Sequence, residues 1–265
     1  MLNVPDCIRV LLLGVIEGIT EFLPISSTGH LIIAEQALGM RTELFNTVIQ
    51  TGAVLAVVLV FWQRLKQLLL RWNDPGAQDY LLKLITAFVI TGAGGVLLKK
   101  FGWRLPETAS PVAWATLIGG VLILVVERAL KGKALADRVT WTVAVVVGLG
   151  QLVAAIFPGT SRSGATILAA LMLGLNRPLA AEFSFLLGIP TLLAAGALQV
   201  YTAHKQGATI EWASVALGFT SAAITAFAAV KWLLRYVQTH TFTVFGYYRI
   251  VLGIAILAFA RWRGM

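Results

Sequence analysis

Two short stretches carry nearly all the side chains suited to chemistry in an otherwise apolar sequence. Residues 14–30, GVIEGITEFLPISSTGH, hold Glu17, Glu21, Ser26, Ser27, Thr28, Gly29 and His30. Residues 157–166, FPGTSRSGAT, bring Ser161, Arg162, Ser163, Gly164 and Thr166 in the second half of the chain. Glu17 and Glu21, four apart, share one helix face, and two such carboxylates repel unless one keeps a proton or a cation sits between them. The hydroxyls and glycines that follow Pro24 open a returning helix whose N-terminus favours an anion. Phosphate is the obvious guest. The planar guanidinium of Arg162 matches its oxygens, and His30 is placed to exchange a proton with a phosphate or a serine.

Each residue also has a plainer reading. A buried glutamate can brace backbone amides, and Ser26 or Thr28 can simply cap a helix. His30 can bond a carbonyl, and Arg162 can pair internally with Glu21 or Glu17. Gln50 and Gly52 in one span, and Glu182, Ser184 and Pro190 in another, are read as cavity lining rather than chemistry.

Composition sets the solvent. With 58% hydrophobic and 12% charged residues and a mean hydropathy of +0.83, the chain is an integral membrane protein. An ionised carboxylate at bilayer depth costs roughly 2.5–3.5 kcal/mol on insertion scales, so Glu17 and Glu21 must face protein, water or a bound charge. The net charge of +9 reflects Lys and Arg at the ends of apolar runs, which suits lipid headgroups and gives no reason to expect nucleic acid. Cys7 is the sole cysteine, so no internal disulfide or cysteine cluster forms. No removable signal peptide is expected.

Six segments, near 44–63, 80–98, 111–130, 182–203, 211–231 and 244–262, are long enough to cross the bilayer. Trp62, Trp103, Trp114, Trp212, Trp232 and Trp262 fall near their ends, where amphipathic rings prefer to sit. Two further apolar regions, 6–38 and 139–175, are each broken in the middle by Pro, Gly and hydroxyl residues. Both are expected to be re-entrant hairpins, unwound at residues 24–27 and 158–161 where protein or a wet cavity satisfies the backbone; a proline-kinked crossing helix is the alternative.

The halves resemble each other. Gly14-x-x-Glu17 corresponds to Gly148-x-x-Gln151, Ser26-Ser27-Thr28-Gly29 to Ser161-Arg162-Ser163-Gly164, and Thr51-Gly52 to Leu187-Gly188. The expected fold is an all-α polytopic membrane protein in one domain, residues 1–265, with six transmembrane helices plus two re-entrant helix-loop-helix hairpins. Repeats of about 1–130 and 139–265 are then inverted in topology, since three crossings per half turn the second upside down. Lys and Arg counts favour the side of residues 64–83, 128–138, 177 and 231–235 as cytoplasmic. Both termini and the mouth of the first hairpin then lie outside.

A small soluble anion needs no such buried site, whereas an amphiphile with a polyphosphate head and a hydrocarbon tail does. At these residues the chain resembles the undecaprenyl-diphosphate phosphatase family, also called bacitracin-resistance phosphatases. The signature EGxxEFxPxSSTGH is present from Glu17 to His30 and PGxSRSGAT from Pro158 to Thr166, with further similarity over Val48 to Val57 and Glu182 to Pro190.

The resemblance implies hydrolysis of undecaprenyl diphosphate to undecaprenyl phosphate and inorganic phosphate at the outer face of a bacterial inner membrane. A divalent cation, Mg2+ or Ca2+, goes with it. By position, Glu17 and Glu21 would bind the cation or act as base, Ser27 would be the nucleophile, His30 would assist proton transfer and Arg162 would hold the phosphates. Ser26, Thr28, Gly29, Ser161, Ser163, Gly164 and Thr166 would line the substrate. Whether Ser27, His30 or a water attacks stays open. Many relatives carry Glu where this chain has Asn46, which puts a cation-ligand role at that position in doubt.

The lipid-phosphate acid phosphatases are excluded, because their motif would need Lys at Ala170, before Arg177-Pro178, and His at Leu168, after Ser161-Arg162. The expected partners are a polyprenyl diphosphate substrate and membrane lipids, with a homodimer left open. An inverted-repeat transporter or flippase for a polyprenyl phosphate is the alternative function.

Overall fold

A computed structural model describes residues 4–71, 73–102 and 108–263, with side chains over 5–71, 73–102 and 108–261. Among the described residues there are eleven helices and no strand. In chain order they are α1 (Val4–Thr20), α2 (Ser27–Leu38), α3 (Glu43–Val60), α4 (Trp62–Leu70), α5 (Pro75–Lys100) and α6 (Ala109–Leu130), followed by α7 (Trp141–Ile156), α8 (Arg162–Met172), α9 (Arg177–Lys205), α10 (Trp212–Thr239) and α11 (Thr243–Arg263). Six of these, α3, α5, α6, α9, α10 and α11, are long and apolar enough to cross a membrane. They coincide with the six predicted spans.

Local chemistry sets where the helices begin. Thr42, Asp74, Thr140 and Asn176 accept from the backbone amides of Phe45, Ala77, Val143 and Leu179 at 3.2, 2.8, 3.2 and 2.9 Å. These bonds satisfy amides that a helix start otherwise leaves free.

Four spans differ from expectation at one end: α5 and α9 begin at Pro75 and Arg177, five residues ahead of the predicted 80 and 182, where Asp74 and Asn176 cap them, and two others end elsewhere. The predicted span 44–63 stops at Val60, and the chain turns at Phe61 into α4, whose Arg64 and Lys66 favour a polar boundary over the bilayer interior. The span predicted to end near 231 continues to Thr239, because the long stems of Lys231 and Arg235 can follow a helix while their charged ends reach water. Trp62, Trp114, Trp212 and Trp232 are all about half exposed and lie toward helix ends. Trp103 and the side chain of Trp262 lie outside the described residues.

Large apolar side chains such as Val96, Leu59 and Ile224 are exposed, as suits surfaces facing lipid. Inside, small residues bring helices together: Gly14 and Gly18 of α1 lie against Ser221 and Ala222 of α10, and Gly120 and Gly253 fix the α6–α11 pair.

Helices from the two halves interlock. α1 packs on α10 while α7 packs on α5, and α3 packs on α10 while α9 packs on α5. α3 meets α9 and α6 meets α11. The two interrupted regions, α1–α2 and α7–α8, are therefore gripped by opposite halves of the chain, and their breaks at 21–26 and 157–161 are brought together beside a core containing Phe22, Phe183, Phe185 and Leu187.

Candidate active site

The first break begins at Glu21, whose amide still donates to the Glu17 carbonyl at 2.9 Å as the last bond of α1. Pro24 then prevents continuation. Ser26 turns the chain with φ 72° and ψ 91°, and its hydroxyl accepts from the Gly29 amide at 3.3 Å to start α2. The second break repeats this design: Gly159 takes φ 94°, Ser161 takes φ 67°, and the Ser161 hydroxyl accepts from the Gly164 amide at 3.1 Å. Ser26 and Ser161 are the described non-glycine residues with positive φ.

At the first helical position after these caps stand Ser27 and Arg162, and both converge on Glu21. One Glu21 oxygen accepts from the Arg162 guanidinium at 3.0 Å and the other from the Ser27 hydroxyl at 2.8 Å. Glu21 and Ser27 are buried and Arg162 is nearly so. The guanidinium lies over the Phe22 ring, 4.9 Å from its centroid, and also donates to the Ser184 carbonyl at 3.3 Å. Its Nε is buried with no acceptor. Gly188 leaves room for it, since a Cβ there would meet the guanidinium.

Several predicted ligand hydroxyls have protein partners. Ser163 donates to the Glu21 and Leu23 carbonyls, each at 3.1 Å, and so bolts α8 to the first break. Thr166 bonds the Arg162 carbonyl at 2.9 Å and the Ser184 hydroxyl, directing it into α9. Ser26 and Ser161 serve as caps, while Gly29 and Gly164 supply the capped amides. Thr28 lies half-buried between Ser27 and Gly29 on the first turn of α2.

Glu17 is fully buried, one turn from Glu21, and neither of its carboxylate oxygens has a hydrogen-bond donor. Its polar neighbours are Glu21 and Gln50, and Glu35 is near enough for its charge to act on it. Among the described residues no group of three or more His, Cys, Asp or Glu side chains is placed to hold a metal. Of the two carboxylates, Glu21 accepts from Arg162 and Ser27 while Glu17 has no donor. This donor set does not form a closed metal cage but fits a hard cation that draws its other ligands from a phosphate.

His30 lies at the other edge of the site. Its Nδ1 is 2.7 Å from the Ser26 carbonyl and its Nε2 is 2.7 Å from the Tyr248 hydroxyl, with the two rings stacked at 5.6 Å. In neutral His30 the carbonyl requires the proton on Nδ1, so Nε2 accepts from Tyr248.

Three residues escaped the reading of the two polar stretches. Tyr248 positions His30. Arg249, 1% exposed, donates to the carbonyls of Pro24 in the first break and Gly159 in the second, and to those of Ala115 and Thr116 in α6. Glu35, also buried, accepts from the Asn46 side chain at 2.8 Å. The available signal was a lone charge inside an apolar run, which holds for both Glu35 and Arg249.

Buried carboxylates, hydroxyls and a guanidinium meeting where two broken helices touch define a polytopic membrane protein with an anion-type site. Residues 10–255 match the family described as Bacitracin resistance protein BacA. An undecaprenyl-diphosphatase of Rhizobium etli strain CIAT 652 is 53% identical over 258 residues, covering 96% of this chain and 97% of that protein. One from Rhizobium leguminosarum bv. trifolii strain WSM2304 is 52% identical over 259 residues, covering 96% and 97%. One from Xanthomonas oryzae pv. oryzae strain PXO99A is 53% identical over 255 residues, covering 95% and 96%. The chain belongs to the bacitracin resistance protein family.

Proposed function

We propose that this chain is a membrane phosphatase that converts undecaprenyl diphosphate to undecaprenyl phosphate and inorganic phosphate. The observation that carries the reading is the bridging of Arg162 and Ser27 by Glu21, a cation, a base and a hydroxyl gathered from both broken helices. Relatives at 53% identity over nearly the full length carry the name undecaprenyl-diphosphatase.

In this mechanism the diphosphate enters beside Arg162, whose guanidinium moves from Glu21 onto the phosphate oxygens and stabilises charge in the transition state. Ser27 attacks the terminal phosphorus. Its proton passes to the Glu21 oxygen it already contacts, a new Ser27 O–P bond forms, and the bridging P–O bond breaks to release undecaprenyl phosphate. Glu21 hands that proton to the phosphate that leaves with the lipid. Water then attacks the phosphoserine phosphorus, Glu21 takes a proton from the water and returns it to the Ser27 oxygen as the Ser27 O–P bond breaks, and inorganic phosphate is freed. His30, held in place by Tyr248, exchanges a proton with the phosphate at the edge of the site. Glu17 would hold a divalent cation, Mg2+ or Ca2+, which when bound would neutralise phosphate charge.

The hydrocarbon tail has a route. A mainly apolar groove of about 560 Å³ lies between α3 and α9, lined by Val48, Thr51, Leu193, Ala197 and Val200, next to Gln50 in the sequence of α3. We place the breaks as re-entrant hairpins of two inverted repeats, about 1–130 and 139–265, in a bacterial inner membrane, with the site open to the periplasmic side. The reciprocal packing of α1 on α10 and α7 on α5 supports this. It also suits a protein that carries its product back across the bilayer.

The test is phosphate release from a polyprenyl diphosphate by the purified protein in detergent. Ser27→Ala, Glu21→Gln and Arg162→Ala should each abolish release while leaving a folded protein. Full activity in all three would sink the mechanism.

A further inference from the structure

We propose that Glu35 is a cation ligand, and that the divalent cation sits between Glu17 of α1 and Glu35 of α2 on a wall formed by Asn46 and Gln50 of α3. This rests on the phosphatase reading and extends it, because it moves the cation away from Glu21.

Four observations lead there. Both Glu21 oxygens already accept a hydrogen bond, from Arg162 and from Ser27, so the carboxylate left without any partner beside it is that of Glu17. Glu17 is fully buried, and neither of its carboxylate oxygens has a donor. Glu35 is buried, accepts from the Asn46 amide at 2.8 Å, and is close enough for its charge to act on Glu17. The Asn46 side-chain carbonyl is itself buried without a donor.

Helix geometry explains why these groups meet. Asn46 and Gln50 are four apart on α3 and share one face. Asn46 contacts Glu35 and Gln50 neighbours Glu17. The two carboxylates are thus about one helical turn apart along α3. Two carboxylates and an amide carbonyl form a set of oxygen ligands that suits a hard cation: both Glu17 oxygens and the Asn46 Oδ1 are without a donor, and Glu35 is held by the Asn46 amide. Two protein carboxylates plus substrate phosphate oxygens is also the usual provision for Mg2+, which binds through few protein ligands and keeps the rest for water and phosphate. The arrangement also accounts for Asn46: here the carboxylate is presented from α2, and the α3 residue orients it.

Mn2+ binding to the purified full chain in detergent, followed by calorimetry or electron paramagnetic resonance without lipid substrate, tests the site. Glu35→Gln keeps the hydrogen bond from Asn46 and removes only charge. It should weaken Mn2+ binding about tenfold or more with an unchanged melting temperature, whereas Glu21→Gln should weaken it much less. The double substitution E35Q/N46E moves the carboxylate to α3 with donor and acceptor exchanged, and should restore most of the lost affinity.

Wild-type affinity in E35Q, absence of Mn2+ binding by the wild type, or failure of E35Q/N46E to recover affinity would overturn the proposal. Phosphate release, measured in parallel, separates the two readings. Release with Mn2+ binding indifferent to Glu35 defeats the ligand assignment alone. Glu35-dependent binding in a protein that never releases phosphate defeats the phosphatase reading and leaves the cation site standing.

Discussion

Ser26 and Ser161 share a backbone conformation that serine rarely adopts, φ 72° and ψ 91° in one and φ 67° and ψ 114° in the other, and each caps the helix that follows it. Left-handed backbone at a residue with a side chain costs on the order of 1–2 kcal/mol. It persists because the surroundings over-determine it: the cap bonds inside each break, the Ser163 bonds from one break to the other, and the Arg249 guanidinium that touches both. The consequence is functional. Each cap sets the next residue at the first turn of a helix, which is how Ser27 and Arg162 come to face the same carboxylate.

Ser161→Ala removes the cap and keeps the strain, so it should destabilise the protein by about 1–2 kcal/mol. Ser161→Gly also loses the cap but relaxes the backbone, and should be near neutral. Unfolding midpoints in mixed detergent compare the two; equal destabilisation would show that the positive φ carries no cost.

Gly188→Ala places a methyl group against the Arg162 guanidinium. Displacing that group by about 1 Å should reduce phosphate release on the order of a hundredfold with little change in melting temperature. Gly52, its counterpart in the first half, faces the Phe219 main chain, so Gly52→Ala should lower stability instead. Arg162→Lys should not rescue Arg162→Ala, since an ammonium lacks the planar fork.

Arg249→Met should cost about 3 kcal/mol or more, because it removes the guanidinium's bonds to the carbonyls of Pro24, Gly159, Thr116 and Ala115, which tie both breaks to α6. Arg249→Lys should recover only part of this loss, having fewer donors and a different geometry. Melting temperatures of the three proteins give the order directly.

Tyr248→Phe keeps the ring stacked on His30 and deletes only the hydroxyl bonded to Nε2. Turnover should fall about tenfold or less, whereas His30→Ala should lose about a hundredfold or more if the imidazole moves protons. Initial rates at saturating substrate distinguish these outcomes.

Much of this was legible from residue types alone. Long apolar runs require a bilayer, and Pro24 and Pro158 amid hydroxyls mark where helices break, since proline and water-seeking side chains act locally and leave their trace in the local sequence. The expense of burying Glu17, Glu21 and Arg162 likewise announced that each needed a counterpart. The counterparts themselves were a matter of tertiary structure. That Arg162 meets Glu21 rather than Glu17, that Glu35 faces Asn46, and that Tyr248 and Arg249 reach back from α11 to His30 and the breaks follow from helices of one half packing against those of the other. Burial cost depends on a residue and its immediate solvent, so sequence carries it. Which distant group offsets that cost depends on how the helices are arranged around one another, and only the folded chain decides that.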